Sequence, residues 1–183
     1  MQDVIANMIA PTIALVGQII IGLFVLGFIL KKMNVSFMNR VDDFVSRNGG
    51  WMAFIVALSA TLGSLFYSEI MGFTPCPLCW WQRIFMYPLV LILLIALLTK
   101  DKKVTRYVIP MSVVGALIAT WHYIEQMTAV ALCTGDLADC SIRYTLHYGY
   151  ITIPLMALTA FILIILFSYK WGEKPLFKKI RLK

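Results

Sequence analysis

The sequence predicts an all-α integral membrane protein, a four-helix transmembrane bundle with one extra transmembrane helix at its N-terminus. Of the 183 residues, 61% are hydrophobic and only 14% are charged, whereas soluble domains carry about 25% charged residues. The apolar residues form five runs of about 20 residues, the length that a helix needs to cross a bilayer. Basic residues flank these runs in alternate connections, which gives the chain a consistent orientation.

The five runs cover residues 9–30, 51–71, 81–98, 107–124 and 150–169. Because unpaired backbone groups are costly in lipid, each run is predicted to be a helix. The first run is too long for a signal peptide, and its basic pair, Lys31 and Lys32, follows the apolar core, so we interpret it as a retained anchor. Residues 37–47 have one apolar and one charged face, which predicts an interfacial helix that ends at Asn48-Gly49-Gly50.

Fourteen of the 16 lysines and arginines lie after the first run, after the third run or in the C-terminal tail. These segments share one side of the membrane if all five runs span it, and the positive-inside rule then places the N-terminus outside and the C-terminus inside. We expect an N-terminal anchor with an interfacial segment (residues 1–50), a four-helix redox core (51–170) and a basic cytoplasmic tail (171–183). The net charge of +7 belongs to these flanks, so nucleic-acid binding is not expected.

The four cysteines all fall in connections that the predicted topology places outside. Cys76 and Cys79 lie between the second and third runs, and Cys133 and Cys140 lie between the fourth and fifth. Disulfides persist on the outer side of a membrane and are rare in the cytosol. By itself the second pair is typical of a loop disulfide, but two dithiol pairs on one face allow a relay by thiol–disulfide exchange.

The stretch TPCPLCWWQR, residues 74–83, has the features of a reactive dithiol at a helix start. Pro77 suits the first helical position, which makes Cys76 the N-cap and Cys79 the third residue of the helix. The N–H groups of a helix start favour a thiolate at Cys79, and Arg83, one turn further along the same face, adds a positive charge. Because a Cys-x-x-Cys ring is small and strained, a redox couple is favoured over a structural disulfide.

Disulfide exchange only moves oxidising equivalents, so a net oxidant needs a final electron acceptor. The sequence has no soluble cofactor-binding domain, which makes a lipid-soluble quinone, ubiquinone or menaquinone, the natural acceptor beside Arg83. Glu69 and Glu125, near the outer ends of two runs, are expected to be solvated.

The segment CPLCWWQR resembles the first-loop motif of the DsbB family, the quinone-dependent disulfide oxidoreductases of bacterial inner membranes. The segment CTGDLADC, residues 133–140, is most similar to the BdbC-type branch. The resemblance covers about residues 51–169 and implies a four-helix membrane bundle with both pairs outside. It implies an extracytoplasmic, DsbA-like thioredoxin-fold partner, electron delivery to the quinone and a role in protein disulfide-bond formation. The first run lies outside the resemblance, and Gln82 stands where some relatives have an acidic residue.

The resemblance also implies roles for individual residues. Cys133 would be attacked by the reduced partner, and Cys140 would exchange with Cys76. Cys79 would be the thiolate that meets the quinone, and Arg83 would stabilise both. His122, at the outer end of the fourth run, matches a histidine that relatives have near the quinone, although an interfacial histidine without such a role is equally consistent with its position.

Four other interpretations remain open at the level of sequence. A vitamin K epoxide reductase-like enzyme uses similar chemistry, but its cysteine pairs come in the opposite order. The four cysteines could form a structural zinc site in a non-redox membrane protein, although an oxidising compartment disfavours four thiolates. His122 and His147, the two histidines, could ligate haem. A membrane scaffold without enzymatic activity is the fourth.

Overall fold

The computed structural model describes residues 8–31, 36–128 and 140–172. Five helices, each long and apolar enough to cross a membrane, account for most of these residues. They are α1 (Ala10–Lys31), α2 (Ser36–Leu65), α3 (Pro77–Thr99), α4 (Thr105–Thr128) and α5 (Ile153–Gly172). The described residues contain no strand beyond an isolated bridge between His147 and Ile151, so the all-α membrane fold is confirmed. The side of the membrane on which each terminus lies stays a prediction.

Helices α2 to α5 form the predicted four-helix bundle. Helix α5 packs extensively on α2 and on α4, and α3 closes the ring between α2 and α4. The fully buried side chains Leu89, Leu93, Phe161 and Ile164 fill the centre. Gly115 of α4 faces the ring of Phe161 so closely that a methyl group would overlap it. Glycine is therefore required for α4 and α5 to approach at this level.

The predicted end of an interfacial helix at Asn48-Gly49-Gly50 is wrong. Helix α2 runs without a break from Ser36 to Leu65, so the division expected at residue 50 falls inside a helix. The two glycines instead mark a close helix contact. A methyl group on Gly49 would lie 2.6 Å from the carbonyl oxygen of Phe167, and one on Gly50 would lie 2.7 Å from the Trp171 indole. Small residues at a helix–helix interface allow such an approach in membrane bundles.

The extra helix α1 packs against the outside of α5. Phe24 meets Phe167 edge to face, with 5.8 Å between the ring centroids, and the Tyr150 hydroxyl donates to Gln18 Oε1 at 2.9 Å. One face of α1 therefore contacts the bundle, while large apolar side chains such as Ile19 and Leu23 stay more than half exposed. That exposure is expected of a helix that faces lipid.

Candidate active site

The candidate site lies at the end of the bundle where α2 and α4 end and α3 and α5 begin, which we call the site end. As predicted, Cys76 is the N-cap of α3 and Pro77 opens the helix. The backbone N–H of Cys79 donates to Cys76 Sγ at 3.4 Å. The Cys-x-x-Cys pair thus spans the first turn of α3, where unpaired N–H groups favour negative charge.

The two sulfur atoms of this pair are in contact. Cys76 Sγ donates to Cys79 Sγ at 3.2 Å, and the pair forms no disulfide in this state. The hydrogen bond to Cys79, followed by burial, raises the pKa of the Cys76 thiol to about 12. Cys76 therefore keeps its proton at neutral pH and Cys79 is the acceptor. Cys76 is buried, whereas Cys79 is partly exposed.

His122 on α4 lies beside the buried sulfur. Its Nε2 atom is 3.6 Å from Cys76 Sγ, and its Nδ1 atom is 3.0 Å from the side-chain nitrogen of Gln82. An amide nitrogen only donates, so Nδ1 accepts and the proton of the neutral ring is on Nε2, facing Cys76. Both Gln82 and His122 are buried. In the sequence Gln82 stands out only as a departure from relatives. Its contact with His122 has no local signal, because the two residues lie 40 positions apart on different helices.

Arg83 is held by the end of α2. Its Nε atom donates to Ser64 Oγ at 3.0 Å and its Nη2 atom to the Ser64 carbonyl oxygen at 3.2 Å. The guanidinium lies over the ring of Trp80, 5.2 Å from its centroid. The sequence predicted that Arg83 lies one turn from Cys79, but it gave no signal that Ser64 would fix the side chain.

The segment that carries Cys140 is anchored over the end of α4. Arg143 Nε donates to the Gln126 carbonyl oxygen at 2.7 Å, and Gln126 Nε2 donates to the Ile142 carbonyl oxygen at 3.0 Å. Such contacts satisfy backbone groups that a helix end leaves unpaired. Cys140 is 1% exposed and close enough to Cys79 for the two to interact electrostatically. Cys140 is therefore the member of the second cysteine pair that lies close to the first pair.

An aromatic stack ties this segment to the chain before Cys76. The rings of Phe73 and Tyr144 are stacked with 4.7 Å between centroids, and the Tyr144 hydroxyl donates to the Thr74 carbonyl oxygen at 3.3 Å. The stack fixes the two cysteine-bearing segments relative to each other. Because its rings are 71 residues apart in sequence, no local pattern predicts it.

The expectations for Glu69 and Glu125 have different outcomes. Cys133 lies outside the residues that the structure describes. Glu69 is exposed, as expected. The expectation that Glu125 is solvated is wrong: its side chain is 2% exposed and accepts a hydrogen bond from Trp121 Nε1 at 3.2 Å. Glu125 lies on the same face of α4 as His122. That face of the helix points towards the bundle and not towards the surface.

A dithiol at a helix start, with one sulfur buried beside an imidazole, a guanidinium one turn away and a third cysteine nearby, is typical of a membrane thiol–disulfide oxidoreductase. The comparisons with known proteins assign the family. Residues 46–171 match the model of the family described as "Disulfide bond formation protein DsbB". The chain belongs to the DsbB family, and its general role is that of a multi-pass membrane disulfide oxidoreductase that acts with a thiol protein.

Individual relatives support the same assignment. The chain is 50% identical to disulfide bond formation protein C of Bacillus subtilis over 121 residues, which are 64% of this chain and 87% of the relative. It is 42% identical to the SPbeta prophage-derived disulfide bond formation protein B of that organism over 134 residues, 72% of this chain and 88% of the relative. The first relative confirms the predicted BdbC-like branch. No solved structure matches the chain.

Proposed function

We propose that the protein reoxidises an extracytoplasmic, DsbA-like thioredoxin-fold protein and passes the electrons to a membrane quinone, ubiquinone or menaquinone. Two electrons and two protons leave the partner's dithiol, which becomes a disulfide, and they reduce the quinone to a quinol. Within the chain they pass through the Cys133/Cys140 pair and then through the Cys76/Cys79 pair. The observation that carries this proposal is the contact of Cys76 with Cys79 and His122 beside Cys140.

The burial of the sulfur atoms supports this order of transfer. Cys76 is 4% exposed and Cys140 is 1% exposed, so a folded partner protein cannot approach either of them closely enough for in-line attack. This burial supports Cys133 as the entry point that the family resemblance implies, from which Cys140 would carry the electrons to Cys76. Each exchange breaks one disulfide and forms another, so the number of dithiols is conserved until the last step.

The exposed side of the first α3 turn suits the quinone. Cys79 is the more accessible sulfur of its pair, and Trp80 and Trp81 beside it are about half exposed on the lipid-facing surface. Arg83 donates two hydrogen bonds to Ser64, and a guanidinium has five N–H donors. The remaining donors fit a carbonyl oxygen, so Arg83 would bind and orient the quinone close to Cys79. The quinone, when bound, supplies the acceptor for both electrons.

The Gln82–His122 pair suits stabilisation of negative charge on Cys76. The amide of Gln82 fixes the His122 ring so that Nε2–H faces Cys76 Sγ. When Cys76 becomes a thiolate during disulfide exchange, the Nε2–H group of His122 would donate a hydrogen bond to it and stabilise the charge. His122 is thus assigned to Cys76 more directly than to the quinone.

The proposed relay requires that the site end faces outwards. The distribution of basic residues supports an outer N-terminus, an inner C-terminus and a location in the bacterial inner membrane. The proposal also includes the expected division of the chain into an N-terminal anchor, a redox core and a basic cytoplasmic tail.

Anaerobic mixing with a quinone and a reduced thioredoxin-fold substrate tests the proposal. We expect quinol absorbance to appear with the wild-type protein, and no turnover with either Cys79→Ser or Cys133→Ala. After reduction by a small thiol, Cys133→Ala should still reduce one equivalent of quinone, whereas Cys79→Ser should reduce none. If the wild-type protein left the quinone oxidised, or if Cys79→Ser still reduced it, the proposal would be refuted.

A further inference from the structure

Three metal-ligating atoms converge at the site. Cys76 Sγ, Cys79 Sγ and His122 Nε2 all lie within 4.8 Å of one another. They come from two helices whose relative position is fixed by packing, because α3 and α4 are neighbours in the bundle. Cys76 and His122 are almost fully buried, so an ion here would be shielded from competing water. Thiolate and imidazole ligands are those that zinc prefers.

We propose that the reduced protein binds one Zn²⁺ ion through Cys76, Cys79 and His122, and that this ion blocks reoxidation of the dithiol. This ligand set differs from a structural site of four cysteines, since it includes His122 and exists only in the reduced state. Both cysteines bind as thiolates, so binding releases to solvent whatever thiol protons the reduced pair carries. No bond between heavy atoms of the protein is made or broken and no electron is transferred.

The distances already approach those of a zinc site. Tetrahedral zinc, with Zn–S of about 2.3 Å and Zn–N of about 2.0 Å, places sulfur and nitrogen ligands about 3.5 Å apart and two sulfurs about 3.8 Å apart. Cys76 Sγ and His122 Nε2 are 3.6 Å apart. The two sulfurs are 3.2 Å apart, so their side chains need to open by about half an ångström. A water molecule would complete the tetrahedron, as in zinc sites with three protein ligands.

Gln82 suits both states of His122. Zinc on Nε2 requires that the ring proton move to Nδ1, which then needs an acceptor. The Gln82 amide, now donating from Nε2 to Nδ1, offers its oxygen after a half-turn about its last side-chain bond. A carboxylate at this position would support only the zinc-bound arrangement, and an apolar residue would support neither. Gln82 is therefore a positioning residue for the ion.

The site is controlled by the redox state of the protein. When Cys76 and Cys79 form a disulfide, two of the three ligands are lost and the ion cannot bind. When the pair is reduced, zinc competes with the proton transfer and disulfide formation that the proposed function requires. The inhibitory consequence thus rests on the proposed function, whereas binding of the ion does not.

Anaerobic titration of the reduced protein with Co²⁺, displaced afterwards by Zn²⁺, tests the inference. We expect one equivalent of Co²⁺ to produce thiolate-to-cobalt absorbance, and one equivalent of Zn²⁺ to abolish it and to stop quinone reduction. Cys79→Ser and His122→Ala should lose the cobalt band. Gln82→Leu should bind about 10–100-fold more weakly, as supporting residues of metal ligands do.

The matched control is His147→Ala, which alters the other histidine of the chain and should bind Co²⁺ as the wild-type protein does. The inference fails if the oxidised protein or His122→Ala binds Co²⁺ as tightly as the reduced wild-type protein, or if the reduced protein binds none. Quinone reduction measured with a chelator present separates the two proposals. Activity without metal binding would refute only this inference, and metal binding without activity would refute only the proposed function.

Discussion

The two ends of the bundle are held together by different forces. At the site end, buried and partly buried polar side chains are joined by directed hydrogen bonds, including Gln82 to His122 and Arg83 to Ser64. At the opposite end, the backbone at Gly49 and Gly50 packs directly against Phe167 and Trp171, and the polar contribution is an ion pair between Lys170 and Asp42 at 3.1 Å.

Because of this difference, we expect one end of the bundle to determine stability and the other to determine catalysis. Close apolar packing tolerates almost no change in volume, so the opposite end should govern whether the protein folds. Hydrogen bonds add little net stability but fix the positions of reactive atoms, so the site end should govern turnover. Four substitutions test this division, from the largest expected effect to the smallest.

Arg83→His should reduce the catalytic efficiency with quinone far more than it reduces stability. It removes the charge-assisted hydrogen bonds that Arg83 would donate to the quinone carbonyl oxygen. Such bonds are worth about 1.5–3 kcal/mol, which corresponds to roughly a 10- to 150-fold loss in kcat/KM for the quinone. Quinone titrations and thermal unfolding of the same sample measure both effects. Unaltered quinone dependence in this variant would remove Arg83 from the quinone site.

Gly50→Ala should show the reverse pattern. Its new methyl group would lie 2.7 Å from Trp171, and such overpacking costs about 1–3 kcal/mol of unfolding free energy. Turnover per folded molecule should stay at the wild-type level. The control is Gly63→Ala on the same helix, where nothing lies within 4 Å of the added methyl group. There alanine should raise the free energy of unfolding by about 0.5–1 kcal/mol. Equal stability of the two variants would contradict the proposed role of the glycine contact.

Ser64→Ala should raise the KM for quinone about 3- to 10-fold and leave stability nearly unchanged. It removes the hydrogen bonds that Arg83 Nε and the Tyr87 hydroxyl donate to Ser64 Oγ, each worth about 0.5–1.5 kcal/mol, while the bond from Arg83 to the Ser64 carbonyl remains. Ser68→Ala is the matched control, because Ser68 bonds to Ser64 and Leu65 carbonyls and to Glu69 but not to Arg83. If both variants raised KM equally, the effect would not come from Arg83.

Tyr150→Phe should have the smallest effect. It removes the hydrogen bond to Gln18, which lies at an exposed position and is worth about 0.5–1 kcal/mol. Differential scanning calorimetry in lipid nanodiscs would measure the loss, and protease sensitivity of α1 would show whether its docking is weakened. A large drop in turnover would instead show that α1 takes part in the reaction.

Local sequence patterns determined much of the architecture and part of the site. Apolar run lengths specify the five helices, because a bilayer sets how long a spanning helix must be. Proline after Cys76 specifies the N-cap, and helical periodicity places Arg83 one turn beyond Cys79. Each of these follows from interactions within a few residues, or between one helix and its solvent.

Tertiary packing decided the rest. The glycines that predicted a helix end became a helix contact, since favourable packing against Trp171 outweighs the low helix propensity of glycine. Gln82 with His122, Ser64 with Arg83, and the burial of Glu125 all depend on which faces of two helices meet. The sequence by itself therefore determined that a reactive dithiol lies at a helix start in a membrane protein. Only the tertiary structure decided which side chains contact, orient and shield it, because those contacts join residues that no local periodicity relates.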